Sequence, residues 1–561
     1  MALPLPSRLR QAAGCVFVLA TVAAGVSPAS EVDYRLTSSE QVLLTSAAGD
    51  RLASKKNIEF HSGKADSGAS IRVFPEHLRQ RLEGIGSSFT ESSAFVLAHL
   101  EPAQRAEVMA NIYGEQGANF ALARTPIGAT DFSVEGKYSY APVSGDRALQ
   151  HFDIGVDEDG FPVSKYPTVR DADYDLLPMI REALAIKRNQ QDSSLRIMAS
   201  AWTAPPWMKD IEDWYQPGTG GGLLKPEYLE TYADYLVKYL DAYVAAGVYV
   251  WALTPVNEPL GNNGQWESMH FSAEAQRDFI KNHLGPKLQA GGYQNIELFM
   301  LDHSRDHLEH WADVIYGDPD SAQYVSGAAV HWYESTFKVY EDVFERVHAR
   351  YPEFSIIHSE GCIDDLGKDA PAGVLDPDGY KESGWFDNDD FWWGTNASDW
   401  AYSATWEGVV AEDHPLYTPV HRYARNIIKS LNHWMTGWID WNIVLDAEGG
   451  PNHVGNFCGA PIMIDTTSGY VYYTPIYYVL AQFSRSIRPG DRAVQVESQL
   501  PGDNQDALHA SASINDQQLL SLQVLNTTDQ PVEYDLQIGS QHATVLIAEN
   551  ALQTLQIRLP H

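Results

Sequence analysis

Residues 248–260 read Val-Tyr-Val-Trp-Ala-Leu-Thr-Pro-Val-Asn-Glu-Pro-Leu, an apolar run that stops at Asn257, Glu258 and Pro259. A strand that is buried on both faces has this near-continuous pattern of Val, Leu and aromatic residues, and a proline cannot donate to the strand ladder. The run therefore predicts a buried parallel strand that carries Glu258 at its carboxyl end.

A second run with the same pattern lies further along the chain. Residues 354–362 read Phe-Ser-Ile-Ile-His-Ser-Glu-Gly-Cys, so this apolar run also stops at a glutamate, Glu360. The two runs are separated by the length of roughly three βα repeats, and catalytic side chains of a parallel barrel gather at the carboxyl ends of its strands. We therefore expect the two carboxyl groups to meet at one barrel mouth.

The rest of the chain between about residues 82 and 466 alternates between strand-like and helix-like patterns. The clearest helical pattern places Leu229, Tyr232, Leu236, Tyr239 and Tyr243 on one face. The predicted strands begin at Gly84 and continue with 118–126, 195–201, 248–255, 296–301, 327–332, 354–357 and 434–441. Eight βα units predict a (β/α)8 TIM barrel over residues 82–466.

Both ends of the chain read as β-structure. Residues 30–81 contain short alternating pieces, and residues 467–561 contain a helical stretch at 477–487 followed by alternating strands with Asp, Asn and Gly turns. We expect the helix to close the barrel. The N-terminal and C-terminal segments together predict an appended antiparallel β-sandwich.

Composition excludes several classes of partner and cofactor. The 561 residues carry 39 Lys and Arg against 74 Asp and Glu, a net charge of −35, so nucleic acid is not an expected partner. No apolar run is long enough for a stable membrane span. The chain lacks Cys-His metal spacing and a Gly-rich phosphate loop, so we expect no metal site. The sequence makes no prediction of an oligomeric state.

The first 29 residues predict an export signal. Arg8 and Arg10 precede an apolar stretch, and Ser27-Pro28-Ala29 supplies small residues for cleavage. The expected location is therefore secreted or periplasmic. Cys362 and Cys458 are the cysteines that remain after cleavage, and in an oxidising compartment they could pair.

The predicted barrel mouth combines two glutamates with aromatic and amide side chains. Glycoside hydrolysis needs this set, because one carboxylic acid protonates the leaving oxygen, a second carboxylate attacks the anomeric carbon, and aromatic faces suit sugar rings. Trp251, Trp332 and Trp434 are interpreted as core residues. The side chains expected at the mouth are Asp131, Trp202, Asn257, Glu258, His331, Tyr333, Glu360, Trp438, Asp440 and Trp441.

Several motifs in fixed order resemble the glucosylceramidase family, glycoside hydrolase family 30. The resemblance runs from about Gly84 to near the C-terminus. It is carried by Trp-Thr-Ala-Pro-Pro-Trp-Met-Lys at 202–209, Asn-Glu-Pro at 257–259, His-Trp-Tyr at 331–333, Ser-Glu-Gly-Cys at 359–362, Gly-Trp-Ile-Asp-Trp-Asn at 437–442 and Gly-Gly-Pro-Asn at 449–452.

The resemblance implies a retaining β-glycosidase without a cofactor, with Glu258 as acid/base and Glu360 as nucleophile. Asn257 matches the family position that holds the sugar 2-hydroxyl, and Tyr333 and His331 match positions that support the nucleophile. The remaining glucose hydroxyls are matched by Asp131, Trp202, Trp441 and Asn456. The implied partner is a carbohydrate or a glycolipid, with glucose at the cleaved end.

The chain departs from the animal members of the family in two segments. Residues 136–169 are longer and acidic, and residues 363–415 form an aromatic-rich insert after the nucleophile strand. The insert either adds sugar or aglycone subsites or packs onto the barrel. Asp387, Asp389 and Asp390 within it could hold Ca²⁺ or form a solvated acidic turn. A glucosylceramide-like or small glucoside, a β-1,6-glucan cleaved by endo or exo action, and a β-xyloside remain as substrates, and a non-catalytic carbohydrate-binding protein remains as an alternative.

Overall fold

The computed structural model describes residues 32–63, 68–262, 264–364, 386–394, 418–502 and 506–560. The predicted export signal and most of the aromatic insert, including Trp385, Trp400, Tyr402 and Trp406, lie outside these ranges. Within them, no helix combines the length and apolar character that crossing a bilayer requires.

Eight parallel strands close into a barrel, which confirms the predicted fold class. Each strand pairs with the next along the chain, and the eighth pairs with the first. In chain order the barrel strands are Gly84–Ser88, Leu122–Ile127, Arg196–Ala201, Ala252–Thr254, Glu297–Ser304, Gly327–His331, Ser355–Glu360 and Met435–Asn442.

The fourth barrel strand differs from its prediction. It covers only Ala252–Thr254, and Tyr249, which the sequence places inside the strand, is 74% exposed. Glu258 consequently lies in the loop after this strand rather than at its end. The Glu258 backbone has a φ of 45° and its N–H donates to the Asp302 carbonyl at 2.9 Å, so the loop is attached to the fifth strand.

Helices surround the barrel. The predicted helix forms over Leu229–Ala245, and Tyr232, Leu236, Tyr239 and Tyr243 are buried against the barrel as their spacing predicts. The other helices are Glu91–Ala98, Pro102–Tyr113, Leu176–Arg188, Ala273–Phe279 and Gly285–Ala290 joined by the π-helical Ile280–Leu284, Leu308–Ile315, Pro319–Ala322, Glu341–Arg350, Asp389–Trp393, Pro419–Asn432 and Pro475–Ser486.

One apolar layer fills the lower part of the barrel. It takes one side chain from each of the second to eighth strands, and we call it the floor layer: Leu122, Met198, Ala252, Phe299, Ala329, Ile357 and Ile439. The first strand contributes Gly86, where an added Cβ would lie 1.6 Å from the Leu122 carbonyl oxygen. Only glycine therefore fits at this point of the barrel wall.

The two chain ends form one ten-stranded sheet with its own apolar core, as predicted for the sandwich. The sheet is antiparallel except for one parallel pair, Ala69–Arg81 with Val532–Ile538. Its strands, in spatial order, are Ala53–Ser54, Gln41–Ser46, Ala551–Arg558, Leu519–Asn526, Leu508–Ile514, Arg492–Gln499, Ala69–Arg81, Val532–Ile538, Gln541–Ile547 and His61–Ser62.

The helix Pro475–Ser486 joins barrel and sandwich. Its Gln482 side chain donates to the Leu552 carbonyl at 2.9 Å and accepts from Thr45 at 2.7 Å, both in the sandwich. Ser484 of the same helix donates to the Asn119 carbonyl at 3.2 Å, which precedes the second barrel strand. The remaining short strands are Ile363–Asp364 paired with Cys458–Gly459, and the three-stranded sheet of Val444–Asp446, Ile462–Asp465 and Tyr470–Tyr473.

Candidate functional site

A layer of buried polar side chains lies on the barrel strands about two residues beyond the floor layer. We call it the polar layer, and every member is 0% exposed: Arg124, Ser200, Thr254, Asp302, His331 and Ser359. Side chains two residues apart on a strand point to the same face, so the polar layer lies directly above the apolar one.

Asp302 is the central acceptor of the polar layer. Its carboxylate accepts from Thr254 at 2.7 Å, Ser359 at 2.7 Å and Arg124 at 2.8 Å, and lies 3.0 Å from His331 Nε2. Burial raises the pKa of Asp302, but Arg124, His331 and the Thr254 hydroxyl more than offset this and hold the pKa well below its usual range. Asp302 is thus a fixed negative charge beneath the mouth.

Arg124 connects the polar layer to the predicted nucleophile. The guanidinium donates to the Glu360 carboxylate, to the Asn257 side-chain oxygen at 2.6 Å and to Ser200 at 3.1 Å. It also lies over the Trp202 ring, 4.7 Å from the centroid. This arginine fixes the position of two predicted site residues with one planar group.

Glu360 lies at the mouth with its side chain 7% exposed. Besides Arg124, it accepts a hydrogen bond of 3.1 Å from the Tyr333 hydroxyl. Burial and the carboxylates of Glu258 and Asp302 raise the pKa of Glu360 above its ordinary value, although His331 and Arg124 oppose this. Arg124 and Tyr333 both donate to this carboxylate, so they fix its position and favour its ionised form.

Glu258 is the more accessible of the two carboxyl groups, with its side chain 16% exposed. Its Oε1 lies 3.2 Å from His331 Nδ1. Burial raises the pKa of Glu258, but the hydrogen bond from His331 and the nearby His303, His331 and Arg124 charges lower it below its ordinary value. The two carboxyl groups therefore have different neighbours, and their pKa values shift in opposite directions, that of Glu258 downward and that of Glu360 upward.

The two carboxyl groups converge on one space. Within the described part of the chain, one group of side chains could hold a metal ion, and it consists of Glu258, His331 and Glu360. One ligand atom from each of these residues lies within 4.8 Å of the other two. A retaining glycosidase holds its two carboxyl groups about 5–5.5 Å apart, and the separation of no more than 4.8 Å between a Glu258 and a Glu360 oxygen is close to that spacing.

Aromatic rings form one side of this space. The Trp202 and Trp441 rings stack at a centroid distance of 5.1 Å and an interplanar angle of 23°. Both residues are about 2% exposed, so each ring offers little more than an edge to the mouth. Their ring edges and indole N–H groups can contact a sugar that lies above Arg124.

Asp131 and Asn456 lie together at a second side of the mouth. The Asn456 side chain donates to Asp131 Oδ2 at 2.9 Å. Burial raises the pKa of Asp131 to about 8, although Asn456 and His453 lower it. The structure thus brings together all nine predicted site residues, with Arg124, His331 or Glu360 linking most of them.

Two residues expected at the mouth lie elsewhere. Asp440 is 0% exposed and accepts from Tyr423 of the surrounding helix Pro419–Asn432 at 2.8 Å. Trp438 stacks on His358 at a centroid distance of 3.5 Å and also contacts Trp332. These alternate residues of the eighth strand point to the helices, whereas Trp441 faces the mouth.

The described part of the aromatic insert packs against the protein. Phe391 and Trp392 are 3% and 1% exposed. Asp389 forms an ion pair with Arg51 and accepts from Tyr472 at 2.6 Å, and Asp387 accepts from Tyr470 at 2.9 Å. The packing interpretation therefore holds for these residues, and the carboxylates of Asp387 and Asp389 have protein partners.

Cys362 and Cys458 lie side by side next to the mouth. Their sulfur atoms are 2.9 Å apart, and Ile363–Asp364 pairs with Cys458–Gly459 in an antiparallel ladder. The Tyr333 hydroxyl lies 3.7 Å from the Cys362 sulfur. This arrangement keeps the loops after the seventh and eighth strands together beside Glu360.

Arg124 and Asp302 are site residues that sequence reasoning missed, although both left a signal. Arg124 is a charged residue in the middle of a buried strand, where an unpaired charge is costly. Asp302 ends an apolar run in the same way as Glu258 and Glu360 do.

Comparisons with known proteins agree with this architecture. The model of the glycosyl hydrolase family 30 TIM-barrel domain matches residues 82–378 and 382–487, and that of the family 30 beta sandwich domain matches residues 493–555. The lysosomal acid glucosylceramidase of Mus musculus is 29% identical over 436 residues, which are 77% of this chain and 73% of the relative.

Two further proteins widen the comparison. An endo-1,6-beta-D-glucanase of Neurospora crassa is 26% identical over 422 residues, 74% of this chain and 72% of the relative. The crystal structure of SrfJ from Salmonella typhimurium matches with a TM-score of 0.73 and 25% identity, over 93% of this chain and 99% of that one. The chain belongs to glycoside hydrolase family 30 and is a glycosidase.

Proposed function

We propose that this protein is an exported retaining β-glycosidase that removes β-linked glucose from a glucosylceramide-like or small glucoside substrate. The observation that carries the proposal is the convergence of Glu258 and Glu360, whose ligand oxygens lie within 4.8 Å of each other at the barrel mouth. The export part rests on residues 1–29 alone, which lie outside the described residues.

In the first step, Glu360 is the nucleophile and Glu258 is the acid. A Glu360 carboxylate oxygen attacks the anomeric carbon while the bond from that carbon to the aglycone oxygen breaks, and Glu258 transfers its proton to the departing oxygen. Arg124 and Tyr333 hold Glu360 in position.

In the second step, Glu258 acts as a base. It takes a proton from a water molecule, the water oxygen attacks the anomeric carbon, and the bond to Glu360 breaks. The sugar leaves with the configuration of the substrate, and both glutamates return to their starting protonation states.

The other site residues supply sugar contacts in this proposal. Asn257, oriented by Arg124, holds the 2-hydroxyl, a contact that strengthens as the oxocarbenium-like transition state forms. The remaining hydroxyls are held by Asp131, Trp202, Trp441 and Asn456. His331 connects Glu258 to Asp302 and thereby fixes the orientation of the acid.

Glucose as the released sugar and a ceramide-like aglycone are supported by the name of the mouse relative and by the residues that match glucose contacts. A β-1,6-glucan is the second candidate, because the Neurospora crassa relative is named as an enzyme for that linkage. Both candidates use the same two glutamates.

The test is hydrolysis of a panel of aryl β-glucoside, aryl β-xyloside, glucosylceramide and β-1,6-glucan, with the first product anomer read by NMR. We expect turnover of the β-glucosides with the β anomer released first. A first product in the α configuration would exclude the double-displacement mechanism, and turnover restricted to the xyloside or to the glucan would replace the substrate assignment.

A further inference from the structure

A buried ion pair behind Asp131 connects three loops of the barrel mouth. Glu267, in the loop after the fourth strand, is 0% exposed, and its Oε1 lies 3.1 Å from His453 Nε2. His453 belongs to the loop after the eighth strand, and its side chain is 9% exposed. The described mechanism uses neither residue.

Both residues are attached to the loop that carries Asp131. The His453 backbone N–H donates to the Asp131 carbonyl at 3.3 Å, and His453 Nδ1 lies 3.1 Å from the Ser133 carbonyl oxygen. Glu267 Oε1 accepts from the Lys137 backbone N–H at 2.8 Å. The pair therefore fixes the Asp131 loop from two directions.

The polar groups around His453 favour its charged form. Nδ1 faces the Ser133 carbonyl oxygen, and Nε2 lies 3.1 Å from the Glu267 carboxylate, so the imidazolium form is favoured by both neighbours. Burial lowers the pKa of His453, but Glu267, the Ser133 carbonyl and Asp131 more than offset this and raise it above its ordinary value. Glu267 and Asp131 are the titratable groups that face this ring.

The ring lies against a backbone position that leaves no room for a side chain. Gly136 has a φ of 63°, and an added Cβ would lie 2.3 Å from His453 Nε2. Close packing at Gly136 and the burial of Glu267 and Ser133 close this end of the mouth, whereas the Glu258 end reaches solvent.

We propose that Glu267 and His453 are positioning residues that hold Asp131 against the terminal sugar and close the pocket behind it, so that only a chain-terminal sugar is accepted. The inference rests on the proposed function, because Asp131 is taken as a sugar contact. Removing the Glu267–His453 ion pair should weaken sugar binding without changing the rate of the chemical step.

The test measures KM and kcat of Glu267→Gln and His453→Gln on whichever aryl β-glycoside the wild type hydrolyses. We expect KM to rise about tenfold while kcat stays within about threefold, since the two glutamates are unchanged. The wild-type KM should rise as pH increases through the His453 pKa, because the donor to Glu267 is lost. This rise should disappear in His453→Gln, whose amide does not titrate.

A matched control is His542→Gln in the sandwich. His542 Nδ1 lies 3.3 Å from Asp535, so the variant removes a similar carboxylate–imidazole pair far from the mouth, and neither KM nor kcat should change. Melting temperatures check that each variant is folded, and if Glu267→Gln does not fold, His453→Gln decides alone.

Folded variants with wild-type KM at all pH values would overturn the inference, and so would internal cleavage of a β-1,6-linked oligosaccharide by the wild type. A wild type that hydrolyses no aryl β-glycoside would instead overturn the proposed function, so the two failures are distinguishable.

Discussion

The floor layer and the polar layer are both buried and share the second to seventh barrel strands, but they differ in chemistry. Leu122 and Arg124 share the second strand, and Ile357 and Ser359 share the seventh. Burying each of the larger floor side chains, which are the five other than the two alanines, is favourable by roughly 1.5–3 kcal/mol, since apolar surface leaves water. Burying the polar layer is costly unless each charge has partners. The two layers thus lie about two residues apart along each shared strand. The floor layer supports the fold, and the polar layer supports the reaction.

The polar layer satisfies its charges internally. Arg124 has Asp302 and Glu360 as carboxylate partners, and Asp302 has four donors, Arg124, Thr254, His331 and Ser359. A buried ion pair is weak evidence for added stability, because a well-packed apolar replacement is often as stable. The arrangement is better explained by its effect on Glu360 and Glu258, because it orients both side chains and shifts their pKa values.

The largest expected effect comes from Glu360→Gln, directly above the polar layer. We expect kcat/KM to fall by a factor on the order of 10⁴ or more, because the amide cannot form the glycosyl ester. The melting temperature should stay close to wild type, since glutamine keeps the shape and its oxygen can still accept from Arg124. Near-native turnover in this variant would remove the nucleophile assignment.

Arg124→Met turns one member of the polar layer apolar and should affect both stability and activity. We expect a loss of roughly 3–5 kcal/mol at pH 7, because Asp302 and Glu360 lose a buried counter-charge. Without the guanidinium the pKa of Glu360, which burial already raises, rises further. The stability deficit should therefore shrink as pH falls toward about 5, because the uncompensated Glu360 carboxylate takes up a proton.

Melting temperatures of Arg124→Met and wild type between pH 5 and 8 measure this dependence. A deficit that is constant across the range would show that lost packing, and not the unpaired carboxylates, destabilises the variant.

Leu122→Ala, two residues earlier on the same strand, is the matched floor-layer variant. The truncation leaves a cavity in a fully buried site and should cost roughly 2–5 kcal/mol. Its stability deficit should not depend on pH, and kcat/KM should stay within about threefold of wild type below the melting transition. A loss of activity comparable to that of Arg124→Met would mean that the two layers are not separable.

Strand order and the positions of the two glutamates could be predicted from the sequence because apolar periodicity and strand-terminal polar residues are local signals. The inward orientation of Asp302 could not. Ala329 pairs with Leu301 and Val330 with His303, so Asp302 is an extra residue in a bulge, and Leu301 and Asp302 have φ values of 69° and 60°. Simple alternation from Phe299 would have pointed Leu301 inward.

The seventh strand shows the same limit. Val330 pairs with His358 and His331 with Glu360, so Ser359 is also an irregular position, and Ser359 and Glu360 both reach the site. Regular alternation allows only one of two consecutive residues to face inward. Glu267 and His453 left no signal either, because their contact joins two loops whose geometry no periodicity encodes.

The smallest effect is expected from His331→Gln, a shift in pH dependence. Burial lowers the pKa of His331, but Glu360, Asp302 and Glu258 more than offset this and raise it to about 9. His331 is therefore charged at neutral pH and stabilises ionised Glu258, which as the acid must be protonated. Removing this cation raises the pKa of Glu258, so the alkaline limb of kcat/KM should move to higher pH by about one unit, or roughly 1.4 kcal/mol. The measurement uses a substrate with a poor leaving group, because only then does protonation by Glu258 limit the rate. An alkaline limb that stays in place or moves to lower pH would show that His331 does not lower the pKa of Glu258.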